Sequence, residues 1–131
     1  NACIVSSINL EKIEKFTGVN VEEIIFAAGA SKGFLWPQIL ADVTGKKVKI
    51  PKVKEATALG GAMAAGVGAG IYKNLHDAAS KLVVWEKEFC PNMNNHELYK
   101  NIRIKWEKAY EVQLKLVDDN ITDSMWKAPG L

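Results

Sequence analysis

Glu22-Glu-Ile-Ile-Phe-Ala-Ala-Gly-Ala-Ser-Lys-Gly-Phe-Leu-Trp36 is the stretch that decides how this chain folds. The β-branched and aromatic run Ile24, Ile25, Phe26 predicts a strand over 24–27. The strand enters a turn of small residues, Ala28-Gly29-Ala30-Ser31, and a helical pattern starts directly afterwards at Phe34 or Leu35. Strand, small-residue turn and helix start together let backbone N–H groups meet an anion or a nucleotide, because no bulky side chain holds the ligand away. The same residues also suit a plain tight connection between a strand and a helix, where Gly and Ser are equally favoured. Taken alone, the turn leaves both readings open.

Working outward, residues 2–17 read as a helix, amphipathic through Val5, Ile8, Ile13 and Phe16 and stopped by Gly18. Downstream, Leu35, Trp36, Ile39, Leu40 and Val43 recur at helical spacing, with Gly45 as the stop. Val48 and Ile50 alternate with Lys47 and Lys49, which predicts a short strand with one solvated face, ended by Pro51. A third helix follows over about 57–67. Helix, strand, helix, strand, helix is the alternation of an α/β layer with parallel strands. Gly60, Gly61 and Gly66 inside the third helix each cost on the order of 1 kcal/mol relative to Ala. They call for close approach to another backbone or to a ligand. Residues 74–82 read as a short helix, 83–89 as an extended segment of undecided type, and 91–95 as a turn. A long helix over 96–117 carries Leu98, Ile102, Trp106, Tyr110 and Leu114 at steps of four, which predicts a face docked on the rest of the domain. Trp126 would anchor the tail.

The bulk numbers exclude several classes. A chain of 131 residues with 48% hydrophobic and 24% charged content suits one globular domain with a real core. A net charge of +2 gives no reason to invoke nucleic acid or an anionic membrane. The five lysines between Lys46 and Lys54 could suggest a phosphate patch, but no aromatics interleave for base stacking. Their alternation with Val48, Ile50 and Val53 places them on a solvated face. Cys3 and Cys90 lie far apart and outside any C-x-x-C spacing, so a disulfide framework is not expected and a reducing, cytoplasmic compartment is. Cys90 and His96 do not fill a tetrahedral metal site. The uncharged stretch 56–72 falls short of a membrane span, and its glycine density suits a buried helix. The chain begins at Asn1 inside a helical pattern, without Met or a visible signal peptide, which reads as a piece of a longer protein.

The blocks are more specific in combination. Ile25-Phe-Ala-Ala-Gly-Ala-Ser-Lys-Gly-Phe-Leu-Trp-Pro-Gln-Ile-Leu-Ala-Asp-Val-Thr-Gly45 is followed by Val48-Lys-Ile-Pro51, Glu55-Ala-Thr-Ala-Leu-Gly-Gly-Ala62 and Gly66-Val-Gly-Ala-Gly-Ile-Tyr72. In this order and spacing they resemble the C-terminal domain of the FGGY carbohydrate kinases, whose members include glycerol, xylulose and ribulose kinases. The resemblance runs from near Asn1 to about Tyr110, and the tail Ser124-Met-Trp-Lys-Ala-Pro-Gly-Leu131 narrows it to one branch.

The resemblance implies an actin-like (ribonuclease H-like) α/β fold of two such domains, with ATP and sugar in the cleft between them. Residues 1–131 would be the C-terminal portion of the second domain: two parallel strands flanked by helices, on the nucleotide side. The family's Gly-Gly-Gly or Gly-Gly-Ala nucleotide loop falls on Ala28-Gly29-Ala30. Gly29 matches the position whose backbone approaches the nucleotide, and Gly33 the position where relatives can place a side chain near it. Ala28, Gly29, Ala30, Ser31 and Gly33 are therefore the expected nucleotide contacts. Ala28 and Ala30 replace glycines common in relatives. A positive φ at Ala28 would mean strain of about 1 kcal/mol or more, whereas an ordinary φ would only narrow the pocket. The catalytic base, the sugar-binding residues and the Mg2+ ligands are expected upstream of Asn1, and Asp42 and Glu55 are read as structural.

The implied activity is ATP-dependent phosphorylation of a hydroxyl of a small open-chain sugar-like substrate by the intact protein, with this piece inactive alone. Expected partners are that substrate, ATP with Mg2+, and the remainder of the kinase, with no nucleic acid and no membrane. An open sheet edge would favour self-association of the isolated piece. The alternatives are a pentulose (xylulose-type) kinase, a non-catalytic actin-like module that senses a nucleotide or sugar, and a packing domain whose loop binds nothing.

Overall fold

A computed structural model of the chain describes residues 1–123; the tail that carries Trp126 lies outside the described residues. The elements follow in order: α1 (Ala2–Thr17), β1 (Glu23–Ile25), a 3-10 turn (Gly29–Lys32), α2 (Leu35–Thr44), β2 (Lys47–Pro51), α3 (Ala56–Gly68), α4 (Leu75–Leu82), β3 (Trp85–Phe89) and α5 (Met93–Asp118). The sheet has the order β1-β2-β3. β1 and β2 are parallel, with Ile24 opposite Val48, as a helical crossover through α2 requires. The undecided segment before Pro91 becomes β3, which runs antiparallel to β2 with Phe89 opposite Val48 and Glu88 opposite Lys49. The described sheet is therefore mixed, with its two parallel strands where the sequence placed them.

β2 is the central strand, and its period of two sorts its side chains cleanly. Val48 (0% exposed) and Ile50 (1%) join Leu40, Ala41 and Val43 of α2 and Cys3 and Ile4 of α1 in one core. On the other face Lys49 reaches Glu23 at 2.7 Å and Glu88 at 3.7 Å, and Lys47 reaches Glu23 at 3.5 Å. Lys46 pairs with Glu14 at 3.1 Å and Lys54 with Glu86. Lys47 and Lys49 are thus partnered charges on the face opposite the core, as the alternation predicts, whereas Lys46 turns to Glu14 of α1 and Lys52 makes no ion pair among the described residues.

The docking stripe predicted for α5 is not what holds that helix. Leu98, Ile102, Tyr110 and Leu114 are all exposed; only Trp106 of the five packs against the core, together with Tyr99. The physical reason is polar. Asp42, 3% exposed at the end of α2, accepts hydrogen bonds from the Asn92 N–H (2.8 Å), the Asn95 amide (2.8 Å) and the Gln38 amide (2.8 Å). His96 Nδ1 lies 2.8 Å from the Asp42 carbonyl oxygen. The first turn of α5 is therefore tied to α2 by hydrogen bonds that a hydrophobic period cannot register. In α3 only Gly66 among its three interior glycines answers to close approach. A Cβ there would stand 2.7 Å from the Tyr72 ring, whereas Gly60 and Gly61 face open space.

Candidate functional site

The turn after β1 is built by a few backbone bonds. The Phe26 N–H donates to the Lys49 carbonyl (2.9 Å) and the Ala28 N–H to the Lys54 carbonyl (3.0 Å), so the chain leaves the sheet alongside the end of β2. The Ala28 carbonyl then accepts from both the Ser31 N–H (3.1 Å) and the Ser31 hydroxyl (2.7 Å). Ser31 is 4% exposed, so its oxygen belongs to the turn. Ala28 itself has φ 66 and ψ −165, a region that is essentially glycine's own and costs another residue roughly 1–3 kcal/mol. Of the two conformations open to Ala28 in the sequence, the structure adopts the strained one. The two hydrogen bonds from Ser31 and the one to the Lys54 carbonyl hold it there.

Gly29, Ala30 and Gly33 line an open groove of about 660 Å³, whereas Ala28 and Ser31 do not line it. The opposite and lower walls come from the start of α1 (Ala2, Cys3, Ile4), the start of α2 (Phe34, Leu35, Trp36, Ile39) and Tyr99 of α5. The volume and apolar lining are those of a small-molecule site. A Cβ at Gly29 or at Gly33 would meet nothing within 4 Å, so a flat ligand can approach this wall at backbone distance. No carboxylate among the described residues lines the groove. Among the described residues no group of three or more His, Cys, Asp or Glu side chains could hold a metal ion.

Sequence reasoning missed Phe34 and Tyr99 as wall residues. A signal for Phe34 existed. Phe34-Leu-Trp36 is one large side chain after another where a helix facing a core needs only part of its circumference apolar. Phe34 and Leu35 are 67% and 73% exposed, while α2 buries Pro37, Leu40, Ala41 and Val43 instead. Tyr99 gave no signal, because its contact depends on how the polar anchor of α5 sets that helix against α2. The two local carboxylates have structural positions. Burial alone would push the Asp42 carboxyl up, but the donors from Asn92, Asn95 and Gln38, with the charge of His96, outweigh it and hold the group below its ordinary value. Glu55 stands at the N-cap of α3 without a side-chain capping bond and lines no part of the groove.

The chain matches the FGGY family of carbohydrate kinases, C-terminal domain, over residues 2–69. It is 54% identical over 131 residues to an autoinducer-2 kinase of Enterobacter sp. (strain 638), covering 100% of this chain and 25% of that protein. To an autoinducer-2 kinase of Klebsiella pneumoniae it is 53% identical, again over 131 residues, with 100% of the chain and 25% of the relative covered. The chain thus spans about a quarter of the length of these curated relatives. Among solved structures, a xylulose kinase from Rhodospirillum rubrum superposes with a TM-score of 0.72 at 18% identity, over 88% of this chain and 23% of that one. At that identity the likeness shows the fold: the small helix-flanked sheet is part of the actin-like ATPase fold of sugar kinases. By the match to its C-terminal domain over residues 2–69, the chain belongs to the FGGY family of carbohydrate kinases.

Proposed function

We propose that these residues form the C-terminal, nucleotide-side part of an ATP-dependent kinase that phosphorylates a hydroxyl of autoinducer-2, a small open-chain sugar-like substrate. The observation that carries the reading is the groove walled by Gly29, Ala30 and Gly33 in a chain of this family. The choice of acceptor rests on identity above one half to autoinducer-2 kinases along the whole chain. The groove would take the adenosine end of ATP. Gly29 offers backbone at close range, Ala30 and Gly33 continue the small-residue wall, and Ser31 and Ala28 keep the turn in shape. ATP supplies the phosphoryl group. Transfer to a hydroxyl also needs a carboxylate at the nucleophile and a cation on the phosphates. With no carboxylate lining the groove among the described residues, the base and the ligands of the cation, taken as Mg2+, are assigned to the remainder of the protein, as is the sugar site. The enzyme would work in the cytoplasm; no helix among the described residues is long and apolar enough to cross a membrane.

The test uses the full-length protein with Mg2+ and ATP, offering autoinducer-2 and D-xylulose in parallel. The expected result is transfer of one phosphoryl group to autoinducer-2 with a kcat/KM at least about tenfold above that for xylulose. The reverse preference would replace the acceptor with a pentulose. ATP binding without transfer to any acceptor would replace catalysis with sensing.

A further inference from the structure

We propose that this groove selects its nucleotide by stacking a purine ring on Phe34, and not by a side-chain hydrogen bond to the base edge, so that adenine and guanine nucleotides are both accepted. The inference rests on the nucleotide reading of the groove and adds what decides the base. Phe34 is 67% exposed yet not free to wander. Its ring meets Phe89 edge-on at 6.5 Å and an interplanar angle of 66°, and the Lys87 ammonium stands 4.2 Å from its centroid. A ring already held in this way, with the ammonium over one face, loses little freedom when a base stacks on the other.

The other half of the argument is what the wall lacks. Gly33 has φ −88 and ψ 165, extended backbone that any residue adopts, and a Cβ there would meet nothing within 4 Å. Neither conformation nor space demands glycine. Its consequence is that position 33 itself projects no amide or hydroxyl beside Phe34. Adenine and guanine differ at C6, an amino donor in one and a carbonyl acceptor in the other, and guanine adds N–H donors at N1 and on C2. The lining amide of Asn1 and hydroxyl of Tyr99 can each donate and accept, so neither distinguishes the two. Trp36 leans on Phe26 with ring centroids 6.4 Å apart. Stacking, in contrast, is indifferent to edge chemistry but favours the larger purine surface.

Titration calorimetry on the full-length protein with ATP, GTP and CTP tests this directly. ATP and GTP should bind with Kd values within about tenfold of each other, where a site built to hydrogen-bond one base edge rejects the other by about 10⁴-fold. CTP should bind at least about fivefold more weakly than either purine. Phe34→Ala, a change at an exposed ring, should weaken ATP and GTP alike by about tenfold or more. An ATP preference over GTP beyond about tenfold, or a Phe34→Ala protein with unchanged purine affinity, overturns the proposal. Binding of ATP without GTP removes only this inference, whereas failure of every nucleotide to bind removes the site reading as well.

Discussion

At the scale of single residues the turn stores strain in one place and leaves room in another. Ala28 sits at φ 66 and ψ −165, held by its bonds to Lys54 and Ser31. Ala28→Gly removes a clash of about 1–3 kcal/mol and returns part of that gain as backbone entropy of the unfolded chain. A net stabilisation of about 1 kcal/mol is expected, read as a higher midpoint in urea. A lower midpoint would mean that the methyl is packed to advantage and that the strain argument fails. Gly45 is the opposite case. With φ 68 and a would-be Cβ 2.8 Å from His96 Cε1, it cannot take a side chain without displacing a ring that is hydrogen-bonded to the Asp42 carbonyl. Gly45→Ala should therefore destabilise by about 2 kcal/mol, while Gly33→Ala, in open space, should stay within about 0.5 kcal/mol of the wild type. Thermal melts of the two variants side by side make the comparison.

Among elements, the α2–α5 junction is where stability depends on pH. The Asp42 carboxyl, held below its ordinary value by Asn92, Asn95 and Gln38 against the opposing effect of burial, is ionised in the fold at pH values where the unfolded chain has begun to bind the proton. Its contribution is therefore complete above the unfolded carboxylate value of about 4 and disappears as pH falls through the lower folded value. Asp42→Asn should cost about 2–3 kcal/mol at neutral pH, because an amide N–H₂ replaces one of the two oxygens that accept from Asn92, Asn95 and Gln38, and the oxygen that remains is uncharged. It should also flatten the acid limb of the stability curve. Equal acid sensitivity in the two proteins would place the titrating group elsewhere. The same junction shows what a sequence can convey. α2 was legible because Leu40 and Val43 meet a core at helical period, and β2 because Val48 and Ile50 alternate with lysines. α5 was legible as a helix but not in its orientation. Steps of four advance about 40° around the axis each time, so a stripe from Leu98 to Leu114 winds off any one face. The side chains that do meet the domain, among them Asn95, His96, Tyr99, Arg103 and Trp106, are mostly polar or isolated. Of the small-residue turn, Gly29, Ala30 and Gly33 do line the groove and Phe34 follows them directly in sequence, whereas Tyr99 needed the packed helices to bring it there.

Across the whole molecule, charge is partnered and apolar side chains are left uncovered. Glu23, Lys47, Lys49 and Glu88 pair over one face of the described sheet, with Ile25 (64% exposed) on that same face. Ile13, Phe16 at 93% and Val19 stand exposed on α1 and just after it, and Leu98 and Ile102 on α5. β1 pairs with β2 alone, so its second edge carries unpaired backbone groups among the described residues. An apolar surface of this kind beside an open edge is normally covered. The covering proposed here is the remaining three quarters of a protein as long as the curated relatives, of which this chain spans 25%. The 131-residue chain produced alone should then self-associate as its concentration rises, and the full-length protein should not do so through this face. Sedimentation velocity over a concentration series is the measurement. It should be repeated in about 1 M NaCl, where the Debye length falls to about 3 Å. Association through apolar surface and strand edge survives that salt, whereas association through the Lys47–Lys49 and Glu23–Glu88 charges dissolves in it. A clean monomer at every concentration would leave the exposed residues without the partner surface assigned to them, and association that salt abolishes would move the contact to the charged face of the sheet.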